Sequence, residues 1–284
     1  GDLDLFITNE YSTNRLFLNN GSGYFTEVTE EAGLTTLDGG MSASFGDVDG
    51  DNKVDLCVVN WSRKPLLYKN ISGNNKVKFV LMDNQPDLYK DSLSKCNAVV
   101  FVDIDNDGDL DLFITKRKAQ NKLFINDGKG NFADKTNEYF EYEVMLSYGA
   151  SFFDFDNDGF LDLFIANVGE NKFYKNINGK KFINITNQFT YKLNGYSTGT
   201  AVSDIDNDGD VDLYVANYID ESSMLLINNT TNKNFISIKI NGVKSNKNAI
   251  GTKIWLYESN EVNKKYFLCG YQEINGGCGY ASMN

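Results

Sequence analysis

Apolar residues in this chain come in short bursts of four to six, rich in β-branched and aromatic types and closed off by Asp, Asn or Gly. Such runs predict β-strands, and no stretch between them carries the period of an amphipathic helix. The bursts recur in a fixed order. A small-residue and apolar segment comes first (residues 41–45, 97–102, 148–153 and 198–202), then an Asp-rich loop, then an apolar run (56–60, 112–115, 163–167 and 213–217). A third run follows (15–19, 65–69, 122–126, 172–176 and 224–228), and after a Gly/Asn turn a fourth opens at Tyr24, Phe132 or Phe182. Four short strands for every fifty or so residues predict the blades of a β-propeller.

The loops align without gaps: 47–55 (DVDGDNKVD), 103–111 (DIDNDGDLD), 154–162 (DFDNDGFLD) and 204–212 (DIDNDGDVD). The opening residues of the chain, with Asp2 and Asp4, match the tail of the same motif. The final aspartates Asp4, Asp55, Asp111, Asp162 and Asp212 are spaced by 51, 56, 51 and 50 residues. The longer step comes from extra residues around 80–91. Loops that depart from a repeat often carry specificity, but nothing in this one has catalytic shape.

Composition changes the picture by subtraction. There are 27 basic and 39 acidic side chains in 284 residues, a net charge of −12, and no histidine. The acidity argues against a nucleic-acid binder. The missing histidine removes the usual general base, the His-dependent triads and dyads, and the commonest transition-metal ligand. With 41% hydrophobic and 13% aromatic residues the chain can bury a large core, and no apolar run reaches the roughly 20 residues of a membrane span. Of the 27 aspartates, 18 lie in the four loops; the remainder of the chain carries 26 basic against 21 acidic groups.

That concentration points to a cation. Odd positions of each loop offer oxygen: Asp47, Asp49, Asp51 and Asp55; Asp103, Asp105, Asp107 and Asp111; Asp154, Asp156, Asp158 and Asp162; Asp204, Asp206, Asp208 and Asp212. The seventh position (Lys53, Asp109, Phe160, Asp210) adds a backbone carbonyl. Gly108, Gly159 and Gly209 at the sixth position supply the positive φ of a tight turn; Asn52, the next most tolerant type, takes that place in the first full loop. Four clustered carboxylates repel one another unless a divalent ion lies between them. Ca²⁺, which accepts 6–8 oxygens in irregular geometry, suits the set better than Mg²⁺. Four complete Ca²⁺ sites are expected, with a fifth, partial one at Asp2 and Asp4. The 47–55 site is expected to be weaker, because Lys53 contributes only a carbonyl.

The unit Asp-x-Asp-x-Asp-Gly-x-x-Asp-Leu, followed by Asn-x-Leu-Phe-x-Asn-x-Gly-x-Gly-x-Phe, resembles the FG-GAP/VCBS repeat of integrin-α-type propellers, over residues 1 to about 232. The resemblance implies an all-β fold with four-stranded blades. It implies seven blades when complete, so blades before Gly1 are expected. From residue 234 the pattern changes, with period-two alternation in 235–240 and 252–257 predicting antiparallel strands. Lys244-Ser245-Asn246, Ile250-Gly251 and the run from Gly276 to Tyr280 resemble the ASPIC/UnbV domain, whose usual length implies more chain beyond Asn284. The expected domains are therefore 1–233, propeller blades, and 234–284, a small β domain.

Cys269 and Cys278 are placed to close a local disulfide, whereas Cys57 and Cys96 are either paired across neighbouring blades or buried thiols. Six Asn-x-Ser/Thr sequons (Asn20, Asn60, Asn70, Asn184, Asn228, Asn229) barely exceed chance for 37 asparagines. Trp61 breaks the repeat where other copies have Lys116, Val168 or Tyr218. The resulting expectation is a non-enzymatic, Ca²⁺-stapled module, secreted, on the cell surface or in the secretory-pathway lumen. It would bind a protein or glycan ligand, with no nucleic acid and no membrane span in this segment. Two alternatives remain open: a structural subunit of a larger assembly, and a propeller enzyme.

Overall fold

The computed structural model describes residues 2–35, 39–74, 76–90, 95–189, 191–218, 220–230, 235–243, 247–258 and 268–274. Successive antiparallel sheets follow the repeat. The first has β1 (Leu5–Ile7), β2 (Arg15–Asn19) and β3 (Phe25–Glu27). Three four-stranded blades follow. They are β4 (Gly40–Gly46), β5 (Asp55–Asn60), β6 (Leu66–Asn70) and β7 (Phe79–Leu81); β8 (Cys96–Val102), β9 (Asp111–Ala119), β10 (Lys122–Asn126) and β11 (Phe132–Asp134); and β12 (Met145–Phe153), β13 (Asp162–Glu170), β14 (Lys172–Asn176) and β15 (Phe182–Asn184). The last blade shows β16 (Asn194–Ser203), β17 (Asp212–Asn217) and β18 (Met224–Leu226). This is the all-β propeller architecture that the repeat predicts. Helix among the described residues is confined to single turns, α1 (Thr136–Tyr139) and a 3₁₀ turn at Thr186–Gln188. No described helix is long and apolar enough to cross a membrane.

In the three four-stranded blades the apolar runs are continuous because the second strands β5, β9 and β13 are covered on both faces. Side chains alternate across a strand, so neighbours in sequence serve different inter-blade cores. Leu56 and Val58 join Leu16, Leu66 and Phe79 on one side of β5, whereas Cys57 and Val59 join Val99, Phe101 and Ile114 on the other. Phe113 of β9 packs with Leu163 and Ile165, while Phe164 of β13 packs with Phe173 and Val215. Cys57 is a free thiol in the same core as Cys96.

The extra segment after β7 clasps the next blade. Buried Gln85 donates to Gly130 O (2.6 Å) and accepts from Phe132 N, while Asp87 accepts from Asp134 N. Trp61 carries two cations over its ring, Lys95 Nζ at 4.7 Å and the Arg117 guanidinium at 5.2 Å.

The C-terminal residues form a hairpin of β19 (Lys253–Tyr257) and β20 (Leu268–Glu273). Of the two strands expected here, the one at 235–240 does not form: among the described residues it pairs with no strand, and Phe235, Ile236 and Ile238 are exposed. Alternation alone does not make a strand without a partner edge, and here the Phe235 ring rests on Gly209 instead. The motif at Lys244-Ser245-Asn246, the run from Gly276 to Tyr280, and Cys278, the expected partner of Cys269, lie outside the described residues. The hairpin leans on the Asp loops. Trp255 and Leu268 border Gly108, Asn106 Nδ2 donates to Cys269 O (3.5 Å), and Tyr271 enters the core between the second and third sheets.

Candidate metal centres

Each Asp loop joins the first and second strands of a blade, and each is tied by the same hydrogen bonds. The first aspartate folds the loop over itself: Asp103 accepts from Asp107 N and Gly108 N, Asp154 from Asp158 N and Gly159 N, and Asp47 from Gly50, Asp51 and Asn52 N. Asp204 accepts from Gly209 N (3.1 Å). The fifth-position carboxylates Asp51, Asp107, Asp158 and Asp208 accept from the N–H of residues 53, 109, 160 and 210.

Asn52, Gly108, Gly159 and Gly209 all have positive φ, as expected. A second left-handed position, the fourth, is equally regular and was not anticipated: Gly50, Asn106, Asn157 and Asn207. The first full loop thus keeps the Gly and Asn of the others in exchanged places. The Asn-x-Gly against Gly-x-Asn pattern was visible in the sequence.

The ninth aspartate is a clasp. Its Oδ2 accepts from the second-position N–H (Val48, Ile104, Phe155, Ile205) at 2.9–3.2 Å, and its Oδ1 from the Asn that closes the third strand. Those asparagines are Asn70, Asn126, Asn176 and Asn228, at 2.7–2.9 Å. Asp4 accepts from Asn19 N in the same way, at 2.9 Å, so the partial copy keeps its clasp.

The side chains of three of these asparagines do more than close a strand. Asn126 Nδ2 donates to Val48 O of the preceding blade (2.8 Å), Asn176 Nδ2 to Ile104 O (2.9 Å) and Asn228 Nδ2 to Phe155 O (2.6 Å), while each also reaches its own loop. The loops are chained blade to blade. The repeated Asn at the end of the third run was the available signal.

This framework brings the first, third and ninth carboxylates together. One oxygen from each of Asp47, Asp49 and Asp55 lies within 4.8 Å of the others, and so with Asp103, Asp105 and Asp111; Asp154, Asp156 and Asp162; and Asp204, Asp206 and Asp212. The fifth-position carboxylates are not part of these groups. Burial pushes Asp55 and Asp103 up to about 7 and Asp162 up to about 8, and raises Asp154 and Asp111 as well, with repulsion from neighbouring aspartates adding to it. Buried carboxylates that resist ionisation when bare are what an inserted cation stabilises. Asp156 Oδ1 and Asp204 Oδ1 are buried atoms without a hydrogen-bond partner. The donor set is all oxygen, so it fits a hard divalent ion. Lysines touch two of the loops: Lys69 Nζ contacts Asp49 and Asp51, and Lys175 Nζ contacts Asp156 and Asp158.

A model of the FG-GAP-like repeat matches residues 1–58, 103–165 and 154–215. Cartilage acidic protein 1 from Homo sapiens is 31% identical over 174 residues, that from Mus musculus 30% over 173, and that from Xenopus tropicalis 29% over 175. Each alignment takes in 58% of this chain and 26% of the relative, so the match spans about a quarter of the curated relatives' length. Among solved structures, an Agrocybe aegerita lectin, described by its recognition of non-reducing terminal N-acetylglucosamine, aligns with a TM-score of 0.43 and 14% identity, over 75% of this chain and 60% of the lectin. A Photorhabdus luminescens Tc holotoxin pore aligns with a TM-score of 0.35 and 15% identity, over 75% of this chain and 10% of that one.

Proposed function

This chain belongs to the FG-GAP-like repeat family, and on that premise we propose that it is a non-enzymatic, Ca²⁺-stapled propeller module of a secreted or cell-surface protein. The observation that carries this reading is the fourfold convergence of the first, third and ninth aspartates to within 4.8 Å. The propeller comprises residues 1–233, and residues 234–284 form a small domain of ASPIC/UnbV type.

The loop residues would hold the ion as follows. Asp47, Asp103, Asp154 and Asp204 both ligate and shape the loop through their N–H contacts. Asp49, Asp105, Asp156 and Asp206 point oxygen into the group, and Asp55, Asp111, Asp162 and Asp212 tie it to the third strand. A bound divalent ion supplies the positive charge that lets these buried carboxylates ionise together. The chain itself supplies rigidity, since loops 47–55, 103–111 and 154–162 are each anchored to the next blade.

Ca²⁺ sites of modest affinity fill at the millimolar concentrations found outside cells, which favours the extracellular setting. The face that these anchored loops hold in place then meets a protein or glycan partner. A pull-down from native material with the full chain, in Ca²⁺ and in EGTA, tests this. A partner captured only in Ca²⁺ is expected; capture that is indifferent to EGTA, or none in either buffer, contradicts it.

A further inference from the structure

We infer that the blades β4–β7 and β8–β11, at the strand ends remote from their Asp loops, form a receptor for a sulfated polysaccharide, built on Trp61, Lys95 and Arg117. This rests on the glycan-binding reading above and names the class of glycan.

Three segments meet at that end. Trp61 follows β5, Lys95 precedes β8, and Arg117 and Lys118 lie near the end of β9. Trp61 and Arg117 each stand six residues beyond the final aspartate of a loop. At about 3.3 Å per residue of strand, that is roughly 20 Å from the metal centres. Arg117 N donates to Lys95 O (2.9 Å), which ties two of the segments together. Lys95 Nζ and the Arg117 guanidinium both lie over the Trp61 ring, at 4.7 and 5.2 Å. In the same segments Lys64 Nζ lies 4.0 Å from the centre of the Tyr89 ring.

The charge here runs against that of the chain. Residues 61–65, 88–97 and 116–121 hold seven basic side chains against one acidic, Asp91, in a protein of net charge −12. Carboxylates border the patch: Glu10 shares a hollow with Trp61, Asp87 lies beside Lys90, and Glu143 beside Lys118. Glu143 is already engaged by Lys172 at 2.9 Å.

The way the cations are held is a second, independent observation. Elsewhere they rest on carboxylates, as Arg15 does on Glu27, Lys122 on Asp134 and Lys253 on Asp47. Lys64, Lys95 and Arg117 rest on aromatic rings instead, and among the described residues none of the three is paired with a carboxylate. A ring quadrupole orients a cation without cancelling its charge, so the charge stays available to an outside anion. The Arg117 fork adds paired N–H donors suited to an oxyanion. Lys118 extends the patch at some cost. It is exposed, with φ +59°, where the next blade has Gly169 at φ +103°. The bulge this makes in the β9–β12 pairing falls between Arg117 and Ala119.

These features select among ligands. A neutral sugar has no use for cations held clear of carboxylates. A nucleic-acid base needs an open ring on which to stack, and Trp61 already carries two cations. A polysaccharide with closely spaced, permanently ionised sulfates matches both the charge and its density.

Calorimetric titration of the full chain in Ca²⁺ with heparin, hyaluronan, dextran and an oligothymidine tests this. Heparin should bind about tenfold or more tighter than hyaluronan or the oligothymidine, and dextran should give no heat. Lys95→Glu/Arg117→Glu should weaken heparin about tenfold or more and lower the slope of log K against log salt by about two. Lys129→Glu/Lys180→Glu makes the same charge change in exposed turns at the Asp-loop end, where Gly128 borders Asp109 and Gly179 borders Asp105. That variant should stay within about twofold of wild type, since the charge it alters lies outside the patch. Trp61→Ala removes no charge, yet it should weaken heparin about threefold or more as the two cations lose their seat. Melting temperatures establish that each variant is folded. Equal losses in both charge variants, heparin bound no better than hyaluronan, or tighter binding of the oligothymidine overturns the inference. A folded wild type that ignores heparin but captures a partner in the Ca²⁺ pull-down overturns this inference alone. Failure in both assays removes the binding reading with it.

Discussion

Asparagine does as much as aspartate at the loops. Asn126 is buried, and its side chain is fully used. Nδ2 donates to Val48 O and Leu110 O, and Oδ1 accepts from Gly128 N and Gly130 N. Truncating it leaves two blades' backbone groups buried and unpaired, each costing about 1–3 kcal/mol. Asn126→Ala should therefore lower the urea midpoint by an amount corresponding to about 2–4 kcal/mol, more than one hydrogen bond is worth. A loss under about 0.5 kcal/mol, the usual range for a surface change, would show that the inter-blade bond is incidental. The same bonds bear on glycosylation, because Asn60 and Asn228 have committed their Nδ2 to Lys64 O and Phe155 O. Those two sequons are structural asparagines.

At the scale of the strand, the continuous apolar runs are period-two patterns for two different cores. Phe164 faces the core toward the last blade, while its neighbours Leu163 and Ile165 face the preceding one. Phe164→Ala should cost about 3–5 kcal/mol by cavity formation, measured by chemical unfolding; a cost near 1 kcal/mol would mean that the blades collapse to fill the gap. Most strands were legible because turn residues bracket each run. The loops were legible because a fixed ligand spacing was repeated four times. Three features were not. The left-handed fourth position was hidden because Asn serves so many purposes. The bond from Asn176 to Ile104 O joins residues 72 apart, which no local pattern encodes. The strand expected at 235–240 failed because its alternation says nothing about whether a partner edge is present.

For the whole molecule, the charge of −12 is a property of four small places rather than of the surface. Four bound Ca²⁺ would leave about −4, and outside the loops the chain is mildly basic. Stability should follow that charge. In the metal-free fold, Asp55 and Asp103 titrate at about 7 and Asp162 at about 8, against 3.8 in the unfolded chain. Between those values the folded form holds more protons than the unfolded form. Its stability is therefore greatest below pH 4 with respect to these groups, and it is lost as pH rises through 7 to 8. Ca²⁺ binds the ionised loops, so it reverses that loss and matters most at neutral pH.

Each site at 100-fold excess of free Ca²⁺ over Kd contributes about 2.7 kcal/mol, and about 1 kcal/mol moves the midpoint of a chain this size by about 2–4 °C. The direct measurement is the melting temperature of the full chain at pH 7.5, metal-free against Ca²⁺-loaded, with a matched pair at pH 5. The expected result is a rise of more than about 10 °C on loading at pH 7.5, as several sites add, and a much smaller rise at pH 5. Equal melting temperatures with and without Ca²⁺ at pH 7.5 would contradict the assignment of the aspartate loops as Ca²⁺ staples.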